Sequence, residues 1–273
     1  MTDRVLLYVY AVGADGAALD DVARDVTGID GTALRCVAGP GGLTALVSPV
    51  DGHRFAEEAL PAQLEDLERL EAIARSHHGV VDAAFARTTA LPLRLATVYR
   101  DEERVVAMLT ERQVSFSSLL ETLHGQVEMG VKVYARAPAA AGRAPGAVEA
   151  AVAAGDGADS PGRAYLQRRR AQRRAVDDVY RSASAAADDV TRRAERHASA
   201  RAMHRPQQNA WSAGRGENVV NDAYLVPAAL VDAFRADIAA LADPASGVVV
   251  EVTGPWAPYS FAGADAVSAE VRV

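Results

Sequence analysis

Two adjacent histidines, His77 and His78, are the side chains best suited by type to bind a metal ion or to transfer a proton. Neighbouring side chains on a helix point about 100° apart, so both rings face one ion only where the helix breaks. No HExxH spacing accompanies the pair. The remaining histidines are scattered without ligand spacing: His53, His124, His197 and His204. The pattern therefore favours a packed histidine near a helix bend over a metal ligand.

Two further features have the composition of reactive sites but lack the surroundings that such sites require. Gly39-Pro40-Gly41-Gly42 suggests a phosphate-binding loop, yet it lies between two apolar segments and lacks a GK[ST] ending and a following helix. It is therefore predicted to be a hairpin turn. The single Cys36 cannot form an internal disulfide or a cysteine metal cluster. Its neighbours Leu34 and Val37 favour a buried small apolar residue over a nucleophile.

A cluster of basic residues, "RRRAQRR", is a candidate partner patch. It contains Arg168, Arg169, Arg170, Arg173 and Arg174. Such a run can bind phosphates or an acidic partner. Asp177 and Asp178, one helical turn beyond the last two arginines, favour instead a self-paired, solvated helix face. No Ser/His/Asp grouping, CxxC pair or paired-carboxylate motif stands out, so we expect no enzymatic activity, no bound metal and no organic cofactor.

Scarce aromatic residues are concentrated near the end of the sequence. The chain has 2 Trp, 8 Tyr and 5 Phe among 273 residues. Residues 253–263, "TGPWAPYSFAG", nevertheless contain Pro255, Trp256, Pro258, Tyr259 and Phe261. Gly254-Pro255 is expected to end the preceding strand, because proline cannot donate a ladder hydrogen bond. The segment is predicted either to pack across the protein as a structural staple or to expose its rings as a partner contact.

Composition narrows the class of protein. A content of 49% apolar residues is enough to form sizeable cores. The net charge of -7 disfavours a general nucleic-acid binder. The longest apolar runs are far shorter than the roughly 20 residues of a membrane-spanning helix, and the first residues lack the features of a secretory signal. We expect a globular cytoplasmic protein without a nucleic-acid or membrane partner.

The hydrophobic pattern predicts an α+β protein with two lobes. Residues 1–124 form the first: a central strand at 4–12, the glycine hairpin, a helix at 57–85, a strand in "ALPLRLATV" and a helix at 101–123. Residues 125–273 read strand, helix, strand, strand, helix, strand, which is the ferredoxin-like order. They include a mobile insertion at 139–162, a long helix at 163–199 and the aromatic segment at 253–263.

Several stretches, taken in order, resemble the gas vesicle accessory protein GvpF/GvpL family. They are "LLYVYAVG", "SHHGVVDAAF", "ALPLRLATVY", "GQVEMGVKVYA", "ENVVNDAYLV" and "VTGPWAPYSFAG". The GPW-x-PYSF motif is the most specific, followed by E-x-GVKV at 128–133. Leu95-Ala96-Thr97 departs from the family, which usually has an aromatic residue, glycine and threonine there.

The resemblance implies a non-enzymatic role in building gas vesicles, the hollow protein shells that give cells buoyancy. Family members are similar to minor vesicle components or assembly factors that contact the shell protein GvpA and other accessory proteins. Two other classes stay open from the residues. Tandem ferredoxin-like lobes also occur in dimeric α+β barrel enzymes, some of which bind haem through a histidine such as His77 or His124. A ligand-sensing regulatory domain is the third interpretation.

Overall fold

The computed structural model describes residues 5–56, 59–136, 161–206 and 216–263. The chain divides into two compact units, Met1–Glu128 with Pro255–Val273, and Met129–Gly254. The predicted boundary after residue 124 lies close to this division, and residues 255–263 group with the first unit. The predicted insertion at 139–162 lies outside the described residues up to 160, and its last two residues begin a helix.

The first unit is built on a five-stranded antiparallel sheet. Its strands are β1 (Val5–Gly13), β2 (Arg35–Ala38), β3 (Thr44–Asp51), β4 (Ala90–Pro92) and β5 (Val98–Tyr99). Strand β1 is central, as its apolar composition predicts, with β3 on one side and both β4 and β5 on the other. Strands β2 and β3 form a hairpin through a 3-10 turn at Pro40–Gly42, which confirms the interpretation of the glycine stretch as a turn.

Helices cover this sheet and are more divided than the sequence pattern suggests. They are α1 (Gly16–Asp25), α2 (Gly52–Phe55), α3 (Leu60–Glu65), α4 (Leu67–Phe85), α5 (Glu102–Glu111) and α6 (Gln113–Leu123). The single helix predicted at 57–85 is wrong, because Asp66 leaves the helical conformation and its carboxylate caps the first amides of α4. Arg112, with φ −107° and ψ 11°, also interrupts the second predicted helix, although its side chain does not cap the helix that follows. Helix α1 was not anticipated by the sequence pattern.

The second unit has the predicted ferredoxin-like order. Its elements are β6 (Gln126–Ala135), α7 (Pro161–Ala194), β7 (Ala200–His204), β8 (Glu217–Pro227), α8 (Val231–Ala239) and β9 (Val248–Trp256). The start of β6, up to Glu128, and the end of β9, from Pro255, belong to the first unit. The strands are arranged β7-β8-β6-β9. Helix α7 buries Val179, Ala183 and Val190. Asp237 of α8 pairs with Arg193 of α7, which joins the two helices, and with Arg196 in the turn that follows α7.

Strand β9 continues through Gly254 and Pro255 to Trp256, so the prediction that these two residues end the strand is wrong. The physical reason is the position of β9 at the edge of its sheet. Proline is tolerated in an edge strand, where its missing N–H can face away from the ladder. Gly254 has a φ of 106°, a conformation that glycine adopts without strain.

The departure from the family pattern at Leu95-Ala96-Thr97 falls on a strained backbone position. Ala96 has a φ of 64°, in the left-handed region that favours glycine. Its N–H donates to the Tyr8 hydroxyl at 2.8 Å, and Val9 N donates to the Thr97 carbonyl at 2.9 Å. These bonds fix the turn between β4 and β5 against β1. Ala96 therefore keeps the turn conformation at a cost that glycine would avoid.

We expect Ala96→Gly to raise the free energy of unfolding by roughly 0.5–1 kcal/mol, because relief of left-handed strain outweighs the added flexibility of the unfolded chain. Ala185→Gly on the exposed face of α7 is the matched control. It should lower the free energy of unfolding by about 1 kcal/mol, the usual cost of glycine within a helix. Urea denaturation of both variants measures the contrast. Equal destabilisation by the two substitutions would contradict the strain at Ala96.

Candidate functional site

The aromatic segment at the end of β9 has an exposed part and a buried part. Pro255 and Trp256 are exposed, and the Trp256 side chain retains 51% of its accessible surface. Ala257 and Pro258 are buried, and Ala257 belongs to the core of the first unit. The chain then forms a 3-10 turn at Tyr259–Phe261, in which both rings are half-buried. The buried residues of this segment therefore fit the predicted staple, and the exposed residues fit the predicted partner contact.

Tyr259 is the aromatic residue that anchors the segment. Its ring lies edge-on to His78, with centroids 5.5 Å apart, and is tilted against His77 at 6.2 Å. Its hydroxyl is buried and has no hydrogen-bond partner among the described residues. Burial raises the pKa of Tyr259, and the nearby carboxyl of Asp82 acts in the same direction. The hydroxyl therefore stays protonated, and the uncharged side chain packs the segment against α4.

A carboxylate clamp holds the same segment from β6. Glu128 accepts two hydrogen bonds from Ser260, one from the backbone N–H at 2.7 Å and one from the hydroxyl at 2.8 Å. Bonds to an ionised acceptor are stronger than neutral ones. The clamp joins the two most specific sequence motifs, because Glu128 begins E-x-GVKV and Ser260 lies in PYSF. Sequence analysis missed both residues as site residues, although their presence in those motifs was a usable signal.

His77 is part of a buried hydrogen-bond chain beneath Tyr259. The Tyr8 hydroxyl accepts from Ala96 N–H at 2.8 Å and hydrogen-bonds Nδ1 of His77 at 3.0 Å. Nε2 of His77 is buried without a hydrogen-bond partner among the described residues. Tyr10 stacks on the imidazole with centroids 5.7 Å apart. His77 is thus packed in the core, as predicted, but α4 continues unbroken from Leu67 to Phe85, so the predicted helix bend near it is wrong.

The chemistry of this cluster is that of a core and differs from that of an acid–base site. Burial lowers the pKa of His77 to about 3, and the adjacent His78 acts in the same direction, while the backbone of Leu93 opposes the shift. Burial also raises the pKa of Tyr8 and of Tyr10. At neutral pH these side chains are therefore uncharged. They stabilise the first unit by packing and hydrogen bonding.

Three other titratable groups of the first unit, Cys36, Asp15 and His124, are partly buried or hydrogen-bonded. Burial, with a contribution from Asp20, raises the pKa of Cys36 to about 12, so this thiol is a poor nucleophile. An open groove of about 770 Å³ is lined by residues that include Asp15 and His124. Asp15 caps α1, and His124 bonds Thr89 at 3.1 Å. Within the described ranges, no group of three His, Cys, Asp or Glu side chains could hold a metal ion.

The predicted arginine patch lies on the first half of α7. Arg168, Arg169, Arg170, Arg173 and Arg174 are all exposed. Their predicted pairing with the following aspartates is wrong for Asp178, which bonds Arg181 at 2.9 Å. In the parts of the chain that the structure describes, none of the five has a carboxylate within 4.0 Å. The same described parts contain no helix long and apolar enough to cross a membrane.

The depressed pKa of His77 predicts an acid-sensitive stability. In the unfolded chain the imidazole takes up a proton near pH 6.5, whereas in the folded chain it does so only near pH 3. The His77 contribution is therefore complete above pH 6.5 and is lost as pH falls from 6.5 towards 3. The loss approaches about 1.4 kcal/mol per pH unit well inside this window.

Urea denaturation between pH 7 and pH 4.5 should show this slope in the wild type and a shallower one in His77→Gln, which cannot titrate. His53→Gln, at an exposed position on α2, is the matched control and should retain the wild-type slope. Parallel slopes in the wild type and His77→Gln would contradict the assignment of acid sensitivity to His77.

Comparison with known proteins identifies the family. A model for the family described as gas vesicle synthesis protein GvpL/GvpF matches residues 6–263. Gas vesicle protein L of Streptomyces sp. (strain CB03234) is 41% identical over 266 residues, which cover 96% of this chain and 94% of that protein. Gas vesicle protein F2 of Halobacterium salinarum is 24% identical over 265 residues, covering 93% and 91% of the two chains.

Solved structures show the same fold. The crystal structure of GvpF from Anabaena sp. PCC7120 matches with a TM-score of 0.63 at 18% identity, covering 95% of this chain and 96% of that one. GvpF from Microcystis aeruginosa matches with a TM-score of 0.61 at 18% identity, covering 94% and 99%. The fold is thus α+β, as predicted, and the match over nearly the whole length shows that this chain belongs to the GvpL/GvpF family of gas vesicle synthesis proteins.

Proposed function

We propose that this chain acts in gas vesicle formation without catalysing a reaction, by contacting the shell protein GvpA and other accessory proteins. Membership of the GvpL/GvpF family carries the role in gas vesicle formation. The engaged state of His77, Cys36 and His124 supports a role in binding over one in catalysis. On this proposal the protein works at the gas vesicle within the cytoplasm, with protein partners and without nucleic-acid or membrane partners.

Trp256 is the residue on which we base the proposed contact with GvpA. Trp256 is one of only 2 Trp in the chain, and about half of its surface is exposed. Tryptophan is among the residues most often found as binding hot spots. The ring is followed at once by buried Ala257 and Pro258, and then by the anchors Tyr259 and Ser260. An anchored ring loses little conformational freedom on binding, so more of the contact energy contributes to affinity.

Trp256→Ala should separate binding from stability. We expect it to lower the free energy of unfolding by only about 1 kcal/mol, because half of the ring is already in water. Tyr259→Ala should cost roughly 3–5 kcal/mol, as expected for a large ring packed against a core. Thermal denaturation measures both effects.

Co-purification with GvpA tests the functional half of the proposal. Trp256→Ala should reduce the recovered GvpA at least about tenfold, the loss expected for a hot-spot residue. Leu67→Ala, which removes another exposed apolar side chain at the start of α4, is the matched control and should bind as the wild type does. Full recovery of GvpA with a correctly folded Trp256→Ala variant would refute Trp256 as the contact.

A further inference from the structure

The first half of α7 is a helix surface without packing inside its own unit. From residue 163 to residue 174, every side chain that the structure describes is exposed. The buried positions of α7 begin only at Val179 and continue along its second half. Residues 163–174 correspond to about 18 Å of helix at 1.5 Å per residue. Their described side chains do not pack within the second unit, so the packing of that unit does not explain which residues occur here.

The charge of this half-helix is of one sign. It contains six arginines, Arg163 together with the five of the predicted patch, and no acidic residue between 161 and 174. Among the residues that the structure describes, none of these six arginines has a carboxylate within 4.0 Å. The chain as a whole carries a net charge of -7, so the patch is locally opposite to the rest of the molecule. Unpaired charges of one sign on a helix repel one another and favour an acidic binding partner.

Two large apolar side chains accompany the arginines. Tyr165 keeps 61% of its surface exposed and Leu166 keeps 54%. Leu166, Arg170 and Arg173 follow the i, i+4, i+7 spacing that places residues on one face of a helix. Tyr165 and Arg169 form the adjacent row. Aromatic residues and arginine are enriched in the centres of protein interfaces, and helices commonly bind in grooves through this spacing.

We propose that residues 163–174 of α7 are a second docking surface, which binds an acidic amphipathic helix of a partner protein. The arginines pair with its carboxylates, and Tyr165 and Leu166 contact its apolar side chains. A membrane surface is a poorer match, because interfacial helices need a broad apolar face and this one has two large apolar side chains. Nucleic acid is a poorer match because the chain is acidic overall. The proposal does not depend on the Trp256 contact, so one chain carries two separate surfaces for protein partners.

A synthetic helical peptide with glutamates flanking two leucines on one face is the probe for this surface. Fluorescence anisotropy with the full-length chain should give saturable binding that weakens with salt. The variant Arg169→Gln, Arg170→Gln, Arg173→Gln should weaken binding at least about tenfold. The matched control removes three other exposed arginines, Arg75→Gln, Arg181→Gln and Arg192→Gln, and should change affinity less than about twofold.

Two further variants, measured in the same peptide-binding assay, define the kind of partner. Tyr165→Ala with Leu166→Ala should weaken peptide binding about fivefold even at high salt, because this part of the affinity is apolar. Trp256→Ala should bind the peptide as the wild type does, which separates this surface from the proposed GvpA contact. Circular dichroism confirms that each variant retains its helices. The proposal is overturned if the peptide does not bind, if both arginine triples weaken it equally, or if duplex DNA or phosphatidylserine vesicles bind more tightly than the peptide.

Discussion

Two tyrosine hydroxyls in the core of the first unit must be hydrogen-bonded, and much of the surrounding structure follows from this requirement. A buried hydroxyl without a partner costs about 1–3 kcal/mol. Tyr8 meets the requirement by accepting from Ala96 N–H and by a hydrogen bond with Nδ1 of His77. Tyr10 accepts from Ile29 N–H and bonds Ser48 at 2.8 Å. Each tyrosine thereby ties central strand β1 to elements distant in sequence, and the strained turn at Ala96 is maintained by one of these bonds.

The same core provides the surface on which the C-terminal segment is fixed. His77 is hydrogen-bonded to Tyr8 and stacked on Tyr10, and Tyr259 packs against it. The Glu128 carboxylate then holds Ser260. Trp256 precedes these anchors by only a few residues, so its position is restricted by them. An exposed indole close to such anchors is suited to binding. The buried His77, uncharged at neutral pH, is not suited to catalysis.

Much of the fold could be predicted from the sequence because local patterns determined it. The apolar run of β1, the turn residues of the glycine hairpin and the alternation of apolar residues along β6 are all features of the local sequence, and all three elements were predicted. The helix breaks at Asp66 and Arg112 were missed, because the apolar stripe continues across both. Pro255 was misjudged because its tolerance depends on β9 being an edge strand, which only the sheet order shows.

The site was less predictable, because its arrangement depends on contacts between residues that are distant in sequence. The aromatic segment was recognised from composition, but which ring is buried and which is exposed depends on contacts with α4 and β6 that are distant in sequence. The Glu128–Ser260 clamp spans 132 positions and has no local signature beyond its two motifs. The exposure of the arginine helix face was predicted, but its lack of ion pairs among the described residues was not, since nearby aspartates suggested pairing and Asp178 pairs instead with Arg181.

The central claim is that the clamp on Ser260 holds Trp256 in place for a partner. Amide hydrogen exchange at Ser260, measured together with GvpA affinity in Glu128→Ala, tests it directly. The exposed Glu121→Ala on α6 serves as the control. We expect faster exchange at Ser260 and a GvpA affinity lowered by about tenfold with Trp256 intact, because an ordering cost is added to binding. Faster exchange at Ser260 with an unchanged GvpA affinity would contradict the claim.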